Sequence, residues 1–205
     1  GKAARVTAAD KPFDAYAQPG DDRVAWLGQV CAAADTPPDY QALARQFDAT
    51  YAGAQDAFAQ RDALTAFKAR LDAAIAAAKA NSFVVLPRFV ATVPNYDLNA
   101  AHYDLALLVG PTVRLGVADT AIQVRFAENG LSEYRPADEA EARREEDLLS
   151  HASLPHQVRT TAWVKVVGGA FEGTLPVLTV APVRVSTVSY QFNAPGEPVF
   201  SADAR

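Results

Sequence analysis

A chain of 205 residues with a net charge of −5 and a pI near 5.2 does not fit a general nucleic-acid binder, which carries a basic excess or stripe. Its 50% hydrophobic and 21% charged residues are ordinary for a globular protein, and Cys31, the single cysteine, excludes an internal disulfide. The longest apolar runs are strand-length, against the roughly 20 residues of a membrane span, and the basic residues are scattered, so there is no polybasic membrane patch.

The chain opens on Gly1 and has no Met, which reads as a trimmed or processed start. Lys occurs only at 2, 11, 68, 79 and 165, Ile only at Ile75 and Ile122, and Ala is abundant, the bias of a GC-rich bacterial genome. Residues 1–20 lack apolar periodicity and end in the turn signal Gln18-Pro19-Gly20. They read as a flexible lead or tether with limited docking through Phe13 and Tyr16, ahead of one α+β domain over 21–205. A trimmed start, an Ala-rich lead and a strand-rich body suit a periplasmic or envelope-associated protein, reaching a membrane only through an anchor upstream. A cytoplasmic domain is the alternative.

Asp21 and Asp22 offer acceptors for the first turn of a helix over 23–34, with Val24, Leu27, Val30, Cys31 and Ala34 on one face. After Pro37-Pro38, the spacing of Tyr40, Leu43, Phe47, Tyr51, Ala54 and Phe58 predicts a second helix. Gly53 lies inside it, at a cost of about 1 kcal/mol relative to Ala, and suggests a close crossing. Leu64, Phe67, Leu71, Ile75 and Ala78 predict a third over 62–80. Residues 21–80 thus form a helical layer.

At Asn81-Ser82 the period switches from 3.6 to 2. A strand apolar on both faces follows from Phe83 to Val93, with Pro87 awkward inside it because it donates no ladder hydrogen bond. His102 to Val109, Val113 to Gly116 and Ala121 to Phe126 continue the alternation, which gives a sheet over 81–128. Asn129-Gly130 is a tight turn. The run DEAEARREEDLLSH predicts a mostly solvated helix over 137–151, with acidic residues at its positive end.

The stretch 157–192 is rich in Val and Thr, which suits strands. Val158, Thr160, Ala162, Val164 and Val166 form its core face, with Arg159, Thr161, Trp163 and Lys165 opposite. Val183 and Val185 fall on one face and Val188, Tyr190 and Phe192 on the other, which calls for a bulge near Ser186-Thr187. Pro176 and Pro182 suggest an edge ribbon. The expected fold is α+β: about three N-terminal helices on a mostly antiparallel sheet of five to seven strands, with the charged helix inserted before the last hairpin.

No nucleophile elbow, phosphate loop, HExxH or CxxC pattern is present, and no cofactor is implied. Asp147 and His151 share a helix face at metal-ligand spacing, with His156 as a third donor; a helix-end cap is the plainer reading. His102 near Asp97 and Asp104 has the composition of an acid–base pair or of a wet strand face. Tyr96 and Tyr134 lie in expected loops, where aromatics often mark binding. Trp163 beside Lys165 is the best surface anchor if the helices cover the other face. These features favour a non-catalytic interaction or accessory module of a bacterial cell envelope, meeting a protein partner through the Trp163 face or an edge strand. A small-molecule or lipid carrier with a pocket lined by Phe47, Tyr51, Phe58, Phe67 and Phe89 is the second reading, and a metal-dependent hydrolase the third.

Overall fold

The computed structural model describes residues 11–34, 36–110, 112–127 and 130–205. The expected tether at residues 1–10 and Asn129 of the expected turn lie outside the described residues. Helices pack on one face of a mostly antiparallel, mixed sheet of seven strands, the α+β class expected.

The helical layer starts with α1 (Arg23–Ala33), capped by the Asp22 carboxylate, which accepts from Ala25 N at 3.1 Å. The aromatic stripe over 40–58 is not one helix but parts of three. α2 (Tyr40–Phe47) stops at Asp48, which adopts an extended backbone and caps α3 (Ala49–Ala52) by accepting from Thr50 N at 2.9 Å. Arg70 holds the same carboxylate at 2.8 Å. A buried Asp at a cap satisfies backbone donors that it would compete with inside a helix. Gly53 ends α3, and α4 (Ala57–Ala80) begins afresh on the Asp56 cap. Phe58, the last member of the stripe, is therefore 71% exposed. The close crossing of the helices is at Gly28, not at Gly53: a Cβ at Gly28 would meet Ala74 of α4 at 2.6 Å.

Pro87 divides the first expected strand into β1 (Phe83–Val85) and β2 (Phe89–Thr92). The strand expected over 102–109 is only β3 (Tyr103–Asp104), because the Asp104 carboxylate accepts from Ala106 N at 2.8 Å and turns the chain into α5 (Ala106–Val109). β4 (Val113–Leu115) and β5 (Ile122–Phe126) follow, and β6 (Glu133–Tyr134) pairs with β3 in a separate two-stranded sheet. The charged helix is α6 (Glu139–Ser150), with Ala142, Glu145 and Leu149 buried.

β7 (Gln157–Glu172) and β8 (Leu175–Ser189) form the centre of the large sheet, not an edge ribbon. β1 and β2 flank β7, while β5, in parallel, and β9 (Pro198–Asp203) flank β8. Pro182 is tolerated because it falls between the residues that pair with β5, which end at Val180, and those that pair with β9, which begin at Arg184. The expected core face of β7, Val158, Thr160, Ala162, Val164 and Val166, is buried. A register shift does fall between Ser186 and Val188, against β9. Two further shifts, at Val183 on β8 and Val167 on β7, interrupt the central pairing. Thr187 and Ser189 then point inward, and Thr187 Oγ1 donates to Phe200 O at 3.1 Å.

α1 lies on the inner face so closely that a Cβ at Gly169 would run into the Val30 carbonyl. Trp26, Leu27, Val30, Phe67 and Leu71 are buried there with Val164, Leu178 and Val180. Truncating such a residue to Ala costs about 2–5 kcal/mol.

Candidate functional site

The helices cover one face of the large sheet, and the side chains of the opposite face are half-buried or exposed. Alternation along the strands brings its side chains into rows. Val85, Trp163, Arg184 and Asp203 lie in one row across β1, β7, β8 and β9. Thr161, Ser186 and Ser201 form the next, with Ser186 Oγ and Ser201 Oγ 2.7 Å apart. Val90, Arg159 and Val188 form a third, and Val90 is 52% exposed.

Part of the N-terminal lead crosses this face. Ala17 bridges β1 in parallel, donating to Phe83 O at 2.9 Å and accepting from Val85 N at 2.8 Å. That docking carries Phe13 onto the sheet, where it meets the Trp163 ring edge-on at 5.9 Å and lies under the Arg184 guanidinium at 4.0 Å. Phe83 takes Lys165 at 5.3 Å and Lys11 at 5.6 Å, and Arg159 lies 4.8 Å from the Tyr190 ring centre. Each cation over a ring face gains about 0.5–1 kcal/mol at an exposed site. Among these four cations, Arg184 is paired with a carboxylate, that of Asp203, at 2.5 and 2.8 Å. Trp163 and Lys165 are both half-buried, on the side away from the helices. Phe13 and Tyr16, the two residues expected to dock the lead, both pack here, with Tyr16 against Phe83 at 5.2 Å; the sequence does not show that they meet Trp163, Arg184 and Phe83.

The structure places the other expected residues elsewhere. Tyr96 packs on Tyr103 at 5.2 Å, and its backbone N–H donates to Glu146. Tyr134 stacks on Phe200 at 4.5 Å. Both pack against residues near α6, Tyr96 from the loop after β2 and Tyr134 from β6, and both are half-buried. His102 meets neither Asp97 nor Asp104 as an acid–base partner through its ring; its Nδ1 lies 3.7 Å from Glu133. Asp97 turns back to accept from Asn99 N and Ala100 N, and these backbone bonds hold its carboxyl below the usual range.

Asp147 and His151 do come together, 3.2 Å apart at the exposed end of α6. His156 does not join them, because its Nδ1 faces Val93 O at 3.1 Å. Among the described residues no three His, Cys, Asp or Glu side chains are grouped to hold a metal, so the expected triad Asp147, His151 and His156 is not assembled. His151 Nδ1 lies 2.8 Å from Asp147 O, a helix-end contact. The aromatics expected to line a carrier pocket are dispersed: Tyr51 and Phe67 are fully packed, while Phe58 is exposed.

One buried polar group gave no sequence signal. Glu145 on α6 is fully buried and accepts from Tyr134 Oη at 2.9 Å, and its Oε2 has no hydrogen-bond partner. Burial pushes its carboxyl up to about 7. It sits in a run of solvated charges, which is why periodicity misses it.

Among the described residues no helix is long and apolar enough to cross a membrane. Comparison of the chain with protein-family models, with curated proteins and with solved structures returns no match.

Proposed function

We propose that this protein is an interaction module of a bacterial cell envelope, and that it docks a protein partner on the outer face of its large sheet. The observation that carries the reading is the ladder of aromatic rings and cations on that face: Phe13, Trp163 and Phe83 with Arg184, Lys165 and Lys11. Half-buried aromatics and Arg beside a strip of hydroxyls are the composition of binding surfaces, where large rigid rings contribute contact area at low entropic cost. The face is built on β7 and β8, each paired on both sides along part of its length, which holds its side chains in register for a partner. Arg-rich, Lys-poor composition supports the bacterial origin, and the strand-rich body supports the envelope.

The free edge of β7 is the weaker alternative surface. Its pairing with the N-terminal side of the sheet ends at Val166, which donates to Ser82 O, and the exposed Val167 bulges there. A bulge at that point blunts strand addition.

The test is a photo-crosslinking side chain at Ser186, in cells of the native host. A discrete adduct is expected that Trp163→Ala removes, with none from the same group at Thr65 on the exposed side of α4. An adduct that survives Trp163→Ala, or that forms equally at Thr65, overturns the docking surface. Cell fractionation checks the compartment, with recovery in the cytosol alone counting against the envelope.

A further inference from the structure

We infer that the segment docked on this face is an extended acidic polypeptide lying along β7. The inference rests on the docking surface proposed above and names the chemistry of its partner.

Charge carries the argument. Lys11, Lys165, Arg184 and Arg159 gather on one face of a chain whose net charge is −5. Asp203 neutralises Arg184, and among the described residues Lys11, Lys165 and Arg159 have no carboxylate at ion-pairing distance. Lys11 donates instead to Asn81 Oδ1 and Arg159 to Gln191 O. Besides Asp203 and the exposed Asp14 of the docked lead, the acidic residues are densest on α6. The molecule is therefore polarised, and its outer sheet face attracts anions.

Geometry supplies the extended shape. Lys165 and Arg159 project from the same face of β7, six residues apart, with Trp163 and Thr161 between them. At roughly 3.3 Å per residue they stand about 20 Å apart, the length of about six residues of extended chain. Such a segment puts a carboxylate at each cation, its backbone over the hydroxyls of Thr161 and Ser186, and an apolar or aromatic side chain against Trp163. The partner's carboxylates and the charges of Lys165 and Arg159 then steer association, which makes it salt-sensitive.

Titration of the purified protein with a fluorescent decaglutamate peptide tests this. Binding is expected at about 50 mM salt, weakening roughly tenfold by about 200 mM. Lys165→Glu is expected to weaken it at least tenfold, with Lys68→Glu on α4 neutral. Arg159→Lys keeps the charge and should keep most of the binding even if the Gln191 contact is lost. Circular dichroism of each variant separates lost binding from lost folding. The inference is overturned if decaglutamate does not bind, if Lys165→Glu binds as wild type does, or if a decathymidylate oligonucleotide binds as tightly as the peptide. A Ser186 adduct without decaglutamate binding would leave the docking surface standing and remove the acidic partner.

Discussion

The buried carboxyl of Glu145 makes stability depend on pH. Its folded value, pushed up to about 7 by burial, lies above the ordinary value near 4.5. A raised folded value means that the native state holds the proton more tightly than the unfolded chain does. Its stabilising contribution is therefore complete below about 4.5 and is lost as pH rises through about 7. The charged groups around it are Glu141, Glu146 and Arg144 on α6, with Tyr134 of β6 donating to it. Glu145→Gln keeps the shape and removes the titration. Urea denaturation from pH 5 to pH 8 should show wild-type stability falling by up to about 3 kcal/mol relative to the variant. Parallel profiles would rule this out. A second residue-scale effect concerns Asp48, which caps α3 and pairs with Arg70. Asp48→Ala is expected to cost about 1–2 kcal/mol, read as a lower urea midpoint.

At the scale of elements, the sequence was legible where one local force dominated. The Asp22 cap fixed the start of α1 and alternation identified the inner face of β7, while Pro87, awkward in the single strand expected over 83–93, proved to be where it splits into β1 and β2. It was illegible where a side chain chose between two local roles. Asp48 and Asp104 each satisfied a backbone donor and ended a pattern that apolar spacing alone would have continued. The outer face was half legible: Trp163 and Lys165 were in the right register, but what lies across them depends on the long-range Ala17–Val84 bridge. Nor could composition show that β9 seals β8 and leaves the hairpin central. The crossing of α1 and α4 supplies a prediction of the same kind. Gly28→Ala would favour a helix by about 1 kcal/mol if the helix stood alone. Here the new methyl meets Ala74 at 2.6 Å, so overpacking of about 1–3 kcal/mol should outweigh that gain. A raised melting temperature would contradict the close crossing.

For the whole molecule, the two faces of the sheet have different tasks. The inner face is closed by α1 and α4 and holds the large buried side chains Trp26, Phe67 and Leu71. The outer face carries half-buried rings and cations, and its removal leaves the core intact. Trp163→Ala should therefore lower stability by about 1 kcal/mol or less, well below the about 3–5 kcal/mol of Phe67→Ala. Thermal unfolding of the two variants checks the ranking. Trp26 is fully enclosed, with its indole donating to Gly20 O, so iodide should quench Trp163 alone.

The central place of the β7–β8 hairpin also orders the events of refolding. Its strands are joined by a short turn at Gly173, so the longest pairing in the sheet closes a small loop at little entropic cost. The β5–β8 pairing spans some fifty residues and has to wait for chain closure. The sheet is thus expected to grow from its middle outward. Val164→Ala should slow refolding, while Val124→Ala on β5 should mainly speed unfolding, as stopped-flow measurements of the two would show.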